Sequence, residues 1–433
     1  MSSLQGHAVT DETFAFDPWD VSWRDGRTVE TIDELVEHHP LYGLPDGQYV
    51  LSRYDDVRDA LKDEGRFSAA PNQSLIGFPP TVAPDTDPAL LERLMQSVSK
   101  LPFDVTEFAS AEVIVGIDGP AHRRIRNIVN RGFVPRRIQS LQPRIESIVA
   151  DCLAGLDGAD EFELMSQIAV PVPIRTVADL LGVPERSADL KRWSDVLSTC
   201  VHGEIRGTID AAISLIEMLS EFAELFMPLI EARRSAPGED VISDIVRATE
   251  VDTLSVAEAV LFLLIIMAAA NETTTSMIGN AVPYLCDNRD QLAALQRDPE
   301  LLDGTIEETL RLCVPVQFVF RQLREPEPMH GKDIPAGTVM VCLIAAASRD
   351  PRQFPDPHRF DITRPGLRHA NLAFGHGAHH CLGAALGRLE GRAALQALIP
   401  YLDRYDVDRS DLHLDRSAFT RAYERVRMVR TAG

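Results

Sequence analysis

The stretch Phe374-Gly375-His376-Gly377-Ala378-His379-His380-Cys381-Leu382-Gly383 decides the reading of this chain. A glycine-rich turn runs into a helix predicted from near Cys381 to about Tyr401, with the cysteine at the junction. A helix N-terminus presents free N–H groups and the positive end of a dipole. Both favour a thiolate, the form of cysteine that binds metal. Gly377 and Gly383 leave room for backbone to approach a large planar ligand. Two other readings fit these residues: a buried structural cysteine, and a zinc site built from His376, His379, His380 and Cys381. Adjacent His-His-Cys residues rarely converge on one tetrahedral centre, which weighs against zinc.

Working outward, residues 349–368 are crowded with Pro, Asp and Arg, and residues 331–341 read as hairpins and short strands. Helical patterns dominate from Pro120 to about Leu301. The clearest helix opens at Ser255-Val256-Ala257-Glu258, a capping box, and runs through an apolar stretch toward Pro283. Being apolar nearly all round, it is predicted to be central and buried. Asp298-Pro299 supplies an N-cap and a first-turn proline to a helix that Pro315 ends. Nearer the N-terminus, Pro45-Asp46-Gly47 predicts a turn before a strand at 49–51, and Val57, Ala60 and Leu61 mark a helix. Residues 68–110 read as a long surface loop with one helix near 90–95. The pattern is one large domain over residues 26–433, mainly α with small peripheral β-sheets, after a polar segment at 1–25.

Composition narrows the function. With 45% hydrophobic residues over 433 positions, the chain can bury a sizeable core and is not disordered. Lys and Arg total 43 against 65 Asp and Glu, and a net charge of −22 argues against nucleic acid or an anionic membrane as partner. Six scattered cysteines, none in a CxxC pair, predict reduced thiols and a cytoplasmic location. The first twenty residues lack the basic and apolar regions of a signal peptide. The apolar run at 259–270 is shorter than the roughly 20 residues a membrane helix needs, so no membrane association is expected.

The spacing Phe374-x-x-Gly377-x-x-x-Cys381-x-Gly383 resembles the haem-binding signature of the cytochrome P450 family. Three further motifs occur in that family's order: His122-x-x-x-Arg126, Glu272-Thr273 and Glu308-x-x-Arg311. The resemblance spans roughly residues 30–430. It implies the cytochrome P450 fold and a haem b whose iron takes Cys381 as thiolate ligand, which favours O–O cleavage over oxygen carriage. Phe374 and Gly383 then flank the sulfur. His122 and Arg126, four apart on one helix face, join Arg321 and His379 in holding the haem propionates. Glu308 and Arg311 form a buried structural network whose third member is Arg359. Thr273 is implied as the hydroxyl beside the oxygen site and Glu272 as part of its proton supply. Ala270 stands where the family usually has glycine, and Asn271 adds a polar group nearby. The substrate pocket is expected to use Ile265, Ala268, Ala269, Val316, Phe318, Val319 and Phe419.

The implied activity is that of a haem-thiolate monooxygenase. It inserts one oxygen atom of O2 into a small hydrophobic substrate, by hydroxylation or oxidative O-dealkylation. Electrons come from a ferredoxin and an NAD(P)H-dependent ferredoxin reductase. A non-catalytic haem sensor or carrier is the alternative, as is a peroxide-using haem enzyme. The presence of both Glu272 and Thr273 argues against each.

Overall fold

Ser255 opens the longest helix of the molecule. Its hydroxyl accepts the Glu258 N–H while the Glu258 carboxylate accepts the Ser255 N–H, so both halves of the capping box form. The computed structural model describes residues 14–24, 27–76, 87–103, 111–202, 207–238, 240–249 and 255–431. The helix continues beyond Pro283 to Asp287. Among the described residues it is the one helix long and apolar enough to cross a membrane, but it is threaded through the protein core.

In chain order, α1 (Thr28–His38) and α2 (Tyr54–Lys62) bracket two short strands, β1 (Leu41–Gly43) and β2 (Tyr49–Leu51). The strand and helix predicted near 49–61 are therefore present. Then come β3 (Phe67–Ser68) and α3 (Pro88–Ser99), the latter covering the helix expected near 90–95. Much of the remaining predicted loop, at 77–86 and 104–110, lies outside the described residues. Helices α4 (Gly119–Val129), α5 (Gln142–Leu153), α6 (Pro171–Leu180), α7 (Ser187–Leu197) and α8 (Ile209–Ser235) lead to the long helix, α9 (Val256–Asp287). After it come α10 (Leu302–Leu312), β4 (Phe318–Leu323), β5 (Val339–Leu343) and α11 (Ala384–Leu398). Helix α9 packs on α6, α7, α8, α10 and α11, which explains why it is apolar on every side.

The largest sheet has the order β1-β2-β5-β4-β3, with β2 and β5 parallel and the other pairs antiparallel. Alternation along β4 divides its side chains between two faces. Phe318 and Phe320 enter an aromatic cluster with Trp23, Val341 and Phe419, while Val319 and Arg321 point the other way. Phe14, Phe16, Trp19 and Trp23 join this cluster. Phe16 and Trp23 are buried in it, and Trp19 meets Phe318 edge-on with ring centroids 5.0 Å apart. The part of the predicted polar segment that the structure describes is thus packed on the sheet.

The final helix begins at Ala384 rather than at Cys381. The Cys381 N–H donates to the Phe374 carbonyl at 2.8 Å, which pins the cysteine in the preceding loop. Gly383 occupies the N-cap position.

Candidate active site

The Cys381 loop is shaped by its contact with α2. Gly377 has φ +75, and a Cβ built there would lie 2.8 Å from the Lys62 Cα. This close approach and the left-handed backbone both require glycine at this position. The loop carries the Cys381 sulfur to a point where the N–H groups of Gly383 and Ala384 are directed at it. The thiol is exposed. Even so, surrounding protein pushes its pKa up, against those N–H groups and the Arg126 and Arg388 guanidiniums, which pull it down. The sulfur therefore opens onto an interior space rather than the outer surface. Phe374 beside it is stacked under the Arg388 guanidinium, 4.3 Å from the ring centroid.

The nearby histidines diverge, which removes the zinc reading. His379 lies against His122 with ring centroids 4.1 Å apart, while His380 approaches Phe374 and His376 approaches Lys62 and Arg58. A second metal possibility arises because ligand atoms of Glu64, His122 and His379 lie within 4.8 Å of one another. Electrostatics argues against a cation there. Burial first, and then the guanidiniums of Arg126 beside His122 and Arg321 beside His379, lower the pKa of both rings, His379 to about 4.

The same residues suit an anion. Arg321 is 4% exposed and Arg126 half-buried. Their side chains donate to backbone carbonyls, of Phe320 at 2.8 Å and His380 at 2.6 Å. Among the described residues neither forms an ion pair within 4 Å with a carboxylate. His122 is 2% exposed, and among the described residues neither of its ring nitrogens has a hydrogen-bond partner. Buried polar groups normally find partners, so this cluster is incomplete without acceptors. Two carboxylates at the edge of a flat group bound over Cys381 would supply them. The residues present therefore fit a haem: Cys381 for the iron, and His122, Arg126, Arg321 and His379 for the propionates. His379 also approaches Asp118 at 3.4 Å, and Asp118 in turn pairs with Arg324 at 2.7 Å.

Helix α9 passes over the start of α11. The two cross at Thr274, whose hydroxyl donates to the Glu390 carboxyl at 3.2 Å and lies 3.5 Å from the Cβ position of Gly387. One turn earlier, Ala269 is exposed although the helix is otherwise largely buried, so this turn borders open space. The Thr273 hydroxyl donates to the Ala269 carbonyl at 2.8 Å, leaving its oxygen free to accept. Glu272 is held near Ser198, and burial together with Asp415 and Asp195 raises its pKa to about 7. Asn271 does not serve the oxygen site. It is buried and donates to the Ser194 hydroxyl on α7 at 3.0 Å.

The structural network departs from the sequence reading in one member. Glu308 and Arg311 are fully buried and joined by two hydrogen bonds of 2.7 Å each. Arg359 contributes only its backbone carbonyl, which accepts from Arg311 at 3.2 Å, while its side chain is exposed. The second guanidinium belongs to Arg364, 3.5 Å from the Glu308 carboxylate. Arg311 also binds the carbonyls of Ser348 and Pro357, so the network fastens the chain that leads to the cysteine loop.

Of the expected pocket residues, Ile265, Ala268 and Ala269 share one stretch of α9, with Ile265 and Ala269 one turn apart on one face. Val316 and Val319 are partly exposed. Phe318 is not a lining residue. It is 0% exposed, because strand alternation turns it into the aromatic cluster with Trp19, Phe320 and Phe419. Phe419 packs in that cluster too, while its carbonyl accepts the Gln317 N–H at 2.9 Å. The sequence reading passed over Arg364, Asp118 and Glu390. No spacing signal marks them, since their partners come from distant segments.

Comparison with known proteins agrees with this geometry. The family model described as Cytochrome P450 matches residues 212–411. Cytochrome P450 107B1 of Saccharopolyspora erythraea is 35% identical, over 90% of each chain. 6-Deoxyerythronolide B hydroxylase of the same organism is 31% identical, over 94% of this chain and 96% of that one. The solved structure of cytochrome P450 CYP109Q5 from Chondromyces apiculatus superimposes with a TM-score of 0.78 at 33% identity, covering 96% of this chain and 98% of that one. The chain belongs to the cytochrome P450 family and is a haem-thiolate monooxygenase.

Proposed function

We propose that the cofactor is haem b, held by Cys381 at the iron and by His122, Arg126, Arg321 and His379 at the propionates. The observation that carries this reading is the pair of His122 nitrogens that, among the described residues, have no hydrogen-bond partner, beside the buried Arg321 and half-buried Arg126 guanidiniums, which form no carboxylate ion pair there. When bound, the haem supplies oxygen activation at a thiolate-ligated iron. The chain's own residues orient and exclude. Val316, Val319 and Ala269 form the walls for a hydrophobic organic substrate, of the kind that the name of the 6-deoxyerythronolide B hydroxylase indicates for that relative. Glu272 is a protonated carboxyl up to about pH 7 and holds the proton that Thr273 receives at its oxygen.

Electrons come from a ferredoxin and an NAD(P)H-dependent ferredoxin reductase, and the protein works in the cytoplasm. The free state of all six cysteines supports a reducing compartment. The pyridine haemochromogen spectrum of extracted pigment tests the cofactor. The expected result is haem b at one per chain, with a red-shifted Soret band in the reduced carbonyl complex that Cys381→Ser abolishes. A folded protein that carries zinc and takes up no haem overturns the reading.

A further inference from the structure

The wall bearing Val316 and Val319 is two segments thick. Val316 bridges to Thr420, the Gln317 N–H donates to the Phe419 carbonyl at 2.9 Å, and the Arg421 N–H donates to the Pro315 carbonyl at 2.9 Å. Behind this double layer lies the N-terminal segment. Trp19 stands edge-on to Phe318 and stacks on Phe320 with centroids 6.2 Å apart, and Phe318 in turn meets Phe419 at 5.6 Å. Arg24, 3% exposed, reaches across nearly the whole sequence to the same loop. It donates to the Thr420 carbonyl at 2.7 Å, to the Ser417 carbonyl, and to the Asp415 carbonyl at 3.5 Å. A single buried guanidinium thus fixes three carbonyls of one loop, a job for a rigid fork of donors.

We propose that residues 16–24 form a strap behind the substrate wall, with Arg24 and Trp19 as positioning residues that set how far the 417–421 loop and β4 intrude on the substrate space. The inference rests on the reading that Val316 and Val319 face substrate beside the haem. Neither Arg24 nor Trp19 touches that space. Their effect passes through carbonyls and ring contacts to the wall. Packed walls of this kind shift as units rather than deform continuously.

The test uses Arg24→Lys and Trp19→Leu in the holoenzyme, with Ile32→Val as a control in the same cluster but on α1. Two readouts are compared. Backbone hydrogen exchange over residues 417–421 is expected to quicken about tenfold in Arg24→Lys, because a single ammonium lacks the two-nitrogen fork that reaches Thr420 from one nitrogen and Ser417 and Asp415 from the other. Affinities for imidazole and for 4-phenylimidazole, read from the visible spectrum, report the space above the iron. The ratio of the two dissociation constants is expected to change at least about threefold in both strap variants and to stay fixed in the control. If a variant loses haem, exchange over 417–421 is compared between variant and wild type in their haem-free forms. An unchanged exchange rate overturns the proposal, and so does faster exchange with an unchanged ratio. Failure of the wild type to bind either azole would instead strike the haem reading on which the proposal rests.

Discussion

Replacing Glu308 with glutamine is expected to be among the most damaging isosteric changes in this protein. The reason is a charge count. One fully buried carboxylate serves two guanidiniums, Arg311 through two bonds of 2.7 Å and Arg364 at 3.5 Å, and also accepts the Asp361 N–H at 3.0 Å. Glu308→Gln keeps the shape and most hydrogen bonds but strands both cations. Breaking a buried pair by removing one charge costs about 3–5 kcal/mol. The carbonyls of Ser348, Pro357 and Arg359 continue to receive Arg311, which places the loss near the lower end, about 3 kcal/mol. Arg364→Gln removes the more distant and slightly exposed cation and is expected to cost about 1–3 kcal/mol. Arg359→Gln leaves its contributing carbonyl in place and is expected to stay within about 0.5 kcal/mol of wild type. Urea midpoints followed by circular dichroism, with haem content measured in parallel, give the ranking. The reasoning fails if Arg359→Gln is as harmful as Arg364→Gln, or if Glu308→Gln leaves the midpoint unchanged.

Three other outcomes follow from the site. Thr273→Ala is expected to keep NAD(P)H consumption while product per NAD(P)H falls and hydrogen peroxide rises, since positioned proton donors contribute on the order of 10²–10⁴-fold. Asn271 is committed to Ser194 and cannot compensate, so an unchanged coupling ratio shows Thr273 to be only a helix residue. Glu390 is buried, has one unpartnered carboxyl oxygen, and is pushed by burial up to about 8. A folded pKa raised above the unfolded value of about 4.3 means stability is lost as pH rises between the two. Glu390→Gln should therefore gain on wild type between about pH 5 and about pH 8, and a difference in urea midpoint that does not vary with pH refutes the assignment. Gly377→Ala adds a Cβ 2.8 Å from Lys62 Cα at φ +75, at a cost of about 1–3 kcal/mol in backbone strain before any displacement of the cysteine loop. Normal haem content and thermal stability in that variant would remove the argument for a jammed turn.

Much of this was legible in the sequence because it rests on local rules. The capping box at Ser255 and Glu258, the turn at Gly47, and the cysteine at a glycine-rich junction are decided by residues within a few positions of one another. What was misread depends on distant partners. Arg359 and Arg364 look equivalent in a polar stretch, and only the path of the chain past α10 decides that one offers a carbonyl and the other a guanidinium. Phe318 has the composition of a pocket residue, but the pairing of β4 with β5 turns it toward Trp19. Asn271 sits beside Thr273 in sequence, yet successive helix residues lie about 100° apart, which aims it at α7 instead.

Charge explains why motifs so far apart must be in register. Left to itself, the protein makes Cys381 harder to ionise, because burial outweighs the N–H groups and the Arg126 and Arg388 guanidiniums around it. Thiolate ligation then needs a cation, and iron supplies one. The cluster of Arg126, Arg321 and His122 has the opposite deficit. Arg321 and Arg126 are pushed down by burial, and among the described residues they form no carboxylate ion pair and the two His122 nitrogens have no hydrogen-bond partner. A group with a metal at its centre and carboxylates on its edge answers both deficits at once, and neither half of the pocket can do so for the other. Haem binding is accordingly expected to stabilise α4, the β4 strand and the cysteine loop together. The pairing of a reluctant thiol with these guanidiniums is thus expected to favour such a cofactor over a bare metal ion or a free anion.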